Sequence, residues 1–219
     1  MKLALYSGGH DFENIRMDEA LLSMVGNKNP KVSFIPSCSY LSHVDFREYV
    51  SQYRKHRIKR FIHFPIDTSF SNVVKEEVFN GDIIHLSGGN TYYFLKHLRK
   101  AKMLGALKEF VKRGGVLTGL SAGAIIMTKN INTAGFPSFD RDENEDNVKN
   151  LNGMGLVNFE FFPHYKNSAR YDKELLKYSK KSRNKIYACP DGAGILLNDG
   201  MKTFVGKCYC FFNGEKIVL

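Results

Sequence analysis

Five short apolar runs, at residues 3–6, 32–35, 60–64, 82–86 and 116–120, are separated by stretches whose apolar residues recur at helical spacing. The runs are too short for helices, and their nearly continuous apolar character suits strands covered on both faces. Helices are expected near 14–25, 45–56, 71–78, 92–98 and 103–112. Strands that alternate with helices are joined by crossovers, which give a parallel sheet sandwiched between helical layers. Sites in such sheets gather beyond the carboxyl ends of the strands. Three small-residue turns follow strands here: Ser7-Gly8-Gly9, Ser87-Gly88-Gly89-Asn90, and Gly119-Leu120-Ser121-Ala122-Gly123. All three are predicted to share one edge.

The last of these turns fits the G-x-S-x-G pattern of a nucleophile elbow, in which a strained strand-to-helix bend lifts a serine hydroxyl above the sheet edge. Accidental matches are common in glycine-rich turns. The apolar strand before Ser121 and the helical pattern after it supply the context that the motif requires. A serine nucleophile needs a base to take its proton and a third group to orient that base.

Of the seven histidines, His164 stands apart. Phe161-Phe162-Pro163-His164-Tyr165 brings an apolar run to a proline stop and places the imidazole just beyond it. Tyr187-Ala188-Cys189-Pro190-Asp191-Gly192 repeats that pattern with a carboxylate. Pro-Asp-Gly is also a good turn sequence, and taken alone Asp191 reads first as a turn former. Oxyanion donors are expected from the amides of Gly88 and Gly89, which lack side chains that would hold a substrate off, and from Ala122 after the nucleophile. Asn90, in the same turn, and Arg170, six residues past His164, are candidate substrate contacts; the arginine fork would suit a carboxylate.

Residues 135–152 carry Pro137 and five acidic residues with few apolar ones, and read as an exposed loop, either a lid or a plain insertion. Beyond it a strand is expected at 156–161, a helix at 170–180, and short strands at 186–188, 194–197, 203–205, 209–212 and 216–218. One domain over residues 1–219 is the simplest organisation.

The formal charge of +10 comes largely from a basic run at 54–60 and from residues 166–185. The second run alternates lysines with apolar residues as a solvated helix face does, and no nucleic-acid motif accompanies it. No apolar run approaches the ~20 residues of a membrane span, and the first residues do not form a secretion signal. A cytoplasmic location is expected. The four cysteines have neither C-x-x-C nor zinc-site spacing and read as reduced and structural, and no metal or other cofactor is called for.

Taken together, Gly88-Gly89-Asn90-Thr91, Gly119-Leu120-Ser121-Ala122-Gly123-Ala124, Pro163-His164-Tyr165 and Pro190-Asp191-Gly192 resemble, in order and spacing, the peptidase S51 family, which includes aspartyl dipeptidase (peptidase E) and more distantly cyanophycinase. The resemblance implies an α/β fold: a flavodoxin-like three-layer sandwich of the class I glutamine amidotransferase type, with a mostly parallel sheet and extra C-terminal strands. It implies a Ser-His-acid triad, here Ser121, His164 and Asp191, where peptidase E carries glutamate at the third position. It also implies hydrolysis of dipeptides or short peptides, with an amino-terminal aspartyl residue as one preference. The segment Asn132-Thr133-Ala134-Gly135 lacks the acidic residue found near there in peptidase E.

The expected activity is therefore that of a serine peptidase acting through an acyl-enzyme on a small peptide, as a monomer or homodimer. An esterase or amidase of the same fold would use the same residues. A non-catalytic binder of an acidic partner would keep the scaffold alone.

Overall fold

A computed structural model describes all 219 residues. Its chain order is β1 (Lys2–Tyr6), α1 (Asp11–Val25), β2 (Lys31–Ile35), α2 (Ser42–Arg54), β3 (Arg60–His63), α3 (Asn72–Phe79), β4 (Ile83–Leu86), α4 (Thr91–Lys100), α5 (Met103–Lys112), β5 (Val116–Leu120) and α6 (Ala122–Met127). Then follow β6 (Glu160–Phe162), α7 (Ala169–Ser179), β7 (Ile186–Ala188), β8 (Gly194–Asn198), β9 (Met201–Val205), β10 (Tyr209–Phe212) and β11 (Glu215–Val218).

The large sheet has seven strands in the order β3-β2-β4-β5-β1-β8-β9. Its first five are parallel, and β8 and β9 extend it antiparallel beyond β1. Alternation along each strand sends side chains to opposite faces. Leu3 and Leu5 of β1 join the larger core with α4, α5 and α6, while Ala4 and Tyr6 join a second core with α1 and α2. Strands buried on both faces read as continuous apolar runs, which is why the sequence marks them so clearly. The fold is the mostly parallel α/β sandwich that the resemblance implied.

The remaining strands form a separate four-stranded sheet, β11-β10-β7-β6. It packs α7 through Tyr171 and Leu175 against Phe162, Ile186 and Phe211. The basic side chains of α7 thus lie outside an apolar seam, as helical spacing predicted.

One expectation for this region needs correction. The strand expected at 156–161 is confined to β6, because residues 153–156 are committed elsewhere. The amides of Gly153, Met154, Gly155 and Leu156 donate to carbonyls of Lys129, Ile126, Thr128 and Met127, closing the end of α6. The expected loop at 135–152 is present, and hydrogen bonds pin it as a wall along α4. Thr91 N donates to Asp142 Oδ2 at 2.7 Å, Asn90 Nδ2 to the Glu143 carbonyl at 2.8 Å, and Arg99 to the carbonyls of Asn150 and Asn152 at 2.6 Å each. All four cysteines are free thiols. No helix is long and apolar enough to cross a membrane.

Candidate active site

Ser121 sits between β5 and α6 with φ 48° and ψ −106°. That combination lies outside the left-handed well and costs an L-residue about 1–3 kcal/mol of backbone strain. Neighbours hold it there. The Ser121 amide donates to the Tyr6 carbonyl at 3.0 Å, tying the turn to the end of β1. Gly123 passes so close to β4 that a Cβ would lie 2.3 Å from the Leu86 carbonyl oxygen. The small residue is what lets α6 start directly over the sheet.

His164 and Asp191 leave neighbouring parallel strands at one edge, since Phe162 of β6 pairs with Ala188 of β7. Proline follows in each case, at 163 and 190, and stops the strand. The His164 Nε2 lies 2.9 Å from Ser121 Oγ, and its Nδ1 lies 2.7 Å from Asp191 Oδ1. Hydroxyl, imidazole and carboxylate are thus joined in series by two hydrogen bonds. Nδ1 donating to the carboxylate leaves Nε2 to accept the serine proton, the tautomer that general-base action requires.

Two residues that the sequence did not single out set this geometry. Ser7, fully buried at the end of β1, accepts the His164 amide proton at 2.7 Å and donates to the Cys189 carbonyl at 2.6 Å. One hydroxyl therefore couples the segment carrying the imidazole to the segment carrying the carboxylate. Next to it, Gly8 lies against the imidazole–carboxylate pair, and its carbonyl accepts the Gly192 amide at 3.0 Å. The only signal in the sequence was the Ser7-Gly8-Gly9 turn at the shared strand edge. Replacing Ser7 by alanine leaves a buried amide and carbonyl without their partner. The expected loss is about 1–3 kcal/mol of stability, read by denaturant unfolding, together with reduced turnover. A variant as stable as the parent would show that this bridge carries no weight.

The turn between β4 and α4 stands beside the hydroxyl. Neither the Gly88 nor the Gly89 amide donates to another protein group, and the Gly123 amide ties the turn to α6 by donating to the Ser87 carbonyl at 3.2 Å. Ala122 opens α6, where the first amides have no intrahelical acceptor. A cavity of about 350 Å³ opens at Ser121 and His164, lined also by Gly89, Phe136, Phe162 and Arg141.

Asn90 and Arg170, the two expected substrate contacts, lie outside that cavity. Asn90 caps α4, its Oδ1 accepting the Tyr93 amide at 2.9 Å while its Nδ2 holds the loop. The Arg170 guanidinium stacks 3.5 Å above the Phe139 ring. Arg141, on the pinned loop, is the arginine that lines the cavity, ion-paired to Glu143 at 3.2 Å.

In fold and sequence the chain is similar to known peptidases. The structure superposes on that of a peptidase from an acI-B1 Actinobacterium, with a TM-score of 0.70 at 16% identity, covering 100% of this chain and 93% of the other. It also superposes on a Listeria monocytogenes EGD-e protein provisionally described as peptidase E, with a TM-score of 0.72 at 24% identity, covering 93% and 97%. An uncharacterized peptidase of Listeria monocytogenes is 27% identical over 170 residues, 76% of this chain and 81% of the relative. Peptidase E of Escherichia coli is 28% identical over 152 residues, 64% and 62% respectively. Fold and relatives together define the molecule as an α/β peptidase. The model of peptidase family S51 matches residues 3–205, and the chain belongs to that family.

Proposed function

We propose that the protein is a serine peptidase that hydrolyses dipeptides or other short peptides through an acyl-enzyme. The observation that carries this reading is the serial contact at Ser121, His164 and Asp191, at 2.9 and 2.7 Å. Ser121 Oγ attacks the scissile carbonyl as its proton passes to His164 Nε2. Asp191 keeps the imidazole oriented and balances its charge once it is protonated. The amides of Gly88, Gly89 and Ala122 receive the oxyanion. His164 then delivers its proton to the departing amine, and water, activated by the same imidazole, releases the acyl group.

Preference for an amino-terminal aspartyl residue has one supporting feature, the Arg141 guanidinium in the cavity beside the hydroxyl. That cation is paired with Glu143, which competes with a substrate carboxylate for it, and Asp140 and Asp142 line the same cavity.

A fluorophosphonate probe is expected to label Ser121 in the folded protein, and a panel of dipeptides is expected to be cleaved in preference to simple esters. Labelling with turnover of esters alone would reassign the molecule to the esterases. Absence of labelling, with no turnover of either class, would leave a scaffold without catalysis.

A further inference from the structure

A second cavity, of about 280 Å³, opens on the α1–α2 face of the large sheet at the same strand edge. Leu120, which precedes Ser121, and Gly88 of the neighbouring turn both line it, whereas Gly89 lines the first cavity. The Gly88-Gly89 turn therefore divides two recesses, one lined by Ser121 and the other by Leu120 next to it. At that size it suits one side chain rather than an extended ligand.

Its lining has one chemical character. Asp45, Glu48, Tyr49 and Gln52 project from one face of α2, as positions three and four apart on a helix do. Asp45 and Glu48 form no ion pair, and they stand at the cavity's mouth in a chain of net charge +10. A third carboxylate, Asp11, touches Lys55 at 3.4 Å on the exposed side. Asn14, 5% exposed, presents a side-chain oxygen with no hydrogen-bond partner. His85, also 5% exposed and lining the cavity, spends Nδ1 on Thr118 Oγ1 and leaves Nε2 without a protein partner. Burial pushes this imidazole down to about 3, so it adds no positive charge near neutral pH.

Behind the floor lies Asp18, fully buried. It accepts from Tyr6 at 3.1 Å, Tyr53 at 2.9 Å and Gln52 at 2.6 Å, and all three donors line the cavity. It forms no ion pair, His56 acts on it only at a distance, and burial raises its carboxyl above the usual range. A buried carboxylate whose hydrogen bonds all come from neutral donors is costly, and a cation brought to the cavity lowers that cost. Phe34, Tyr49 and Tyr53 also line it, and aromatic rings suit the same guest because their faces attract cations.

We propose that this cavity is the subsite for a cationic substrate residue, a lysine or arginine beside the scissile bond. Its place in catalysis rests on the peptidase reading of Ser121, and its charge preference on the carboxylates and the unpartnered Asn14 oxygen. The aliphatic stem lies along Phe34 and Leu120, and the charged head meets Asp45 and Glu48.

The test has two independent arms. Peptides carrying Lys, Arg, Ala or Glu on either side of the scissile bond are compared by kcat/KM. At one of the two positions Lys and Arg are expected to exceed Glu by about tenfold or more, near the upper range for rim charges that are partly solvated. The pair Asp45→Asn with Glu48→Gln is expected to bring that ratio towards one, and Glu48→Lys to invert it. In the second arm, argininamide, which carries no carboxylate, is titrated by calorimetry into Ser121→Ala protein. Binding is expected, with affinity falling about tenfold when Asp45→Asn and Glu48→Gln are added. Equal kcat/KM for Lys and Glu at both positions overturns the proposal, as does a preference that the substitutions leave unchanged. Should no peptide be cleaved, the peptidase reading fails, and the subsite then stands or falls on argininamide binding and its loss in the double variant.

Discussion

Replacing Ser121 by alanine is expected to reduce kcat by on the order of 10⁶-fold, the scale seen when a triad nucleophile is deleted. Little change in fold should accompany the loss, because alanine inherits the same backbone angles, φ 48° and ψ −106°. Glycine separates the two roles of the position. It tolerates positive φ without a Cβ clash, so Ser121→Gly should be equally inactive yet more stable by up to about 1–3 kcal/mol, the strain held in such conformations. Steady-state kinetics on a cleaved dipeptide and chemical denaturation of all three proteins check both halves. Turnover near the parent's in either variant would remove Ser121 from the mechanism.

The second large effect is expected at a residue without a side chain. A Cβ on Gly8 would lie 2.2 Å from His164 Cε1, 2.4 Å from Asp191 Oδ1 and 2.5 Å from His164 Nδ1. These separations are far below van der Waals contact, so Gly8→Ala must displace the imidazole, the carboxylate or both. The His164 and Asp191 side chains are 46% and 45% exposed, leaving them room to swing outward. Stability should therefore change little, while kcat falls about 10²-fold or more, the cost of misplacing a catalytic group by roughly an ångström. Parent-like kcat in Gly8→Ala would mean that the hydrogen-bonded arrangement is not the one that reacts. Ser121→Ala removes a reacting atom and Gly8→Ala only its alignment. Fluorophosphonate labelling should thus be abolished in the first and slowed in the second.

The sequence revealed the large sheet more fully than the small one, for a physical reason. Strands such as Ile83–Leu86 are buried on both faces, and their apolar runs leave little ambiguity. The strand at 186–188 was expected and is β7, but β6 is only three residues long and the preceding residues 153–156 are spent on closing α6. Nothing in the string announces that these strands leave the first sheet and make another.

The site was legible where local chain chemistry is distinctive. Ser121 was marked by its glycine brackets, and His164 and Asp191 by proline stops after apolar runs. Ser7 and Gly8 act through space on residues more than 150 positions away. Their roles depend on a distance that no local pattern encodes. The arginines make the same point. Arg170 follows His164 closely in sequence but lies flat on Phe139, while Arg141 reaches the cavity because its loop is fastened to α4.

The division of strands between two sheets has a further consequence. The hydroxyl rides on one slab, whereas imidazole and carboxylate emerge from the margin of the other. Their meeting depends on how the slabs are seated, through a shared apolar seam that includes Phe161, Tyr187 and Cys189 beside Leu3 and Ile195. A slip along that seam would separate the reacting groups while each slab kept its own ladder intact. Loss of hydrolysis under mild denaturant should then precede the loss of secondary structure, making turnover the more sensitive gauge of how the halves are mated.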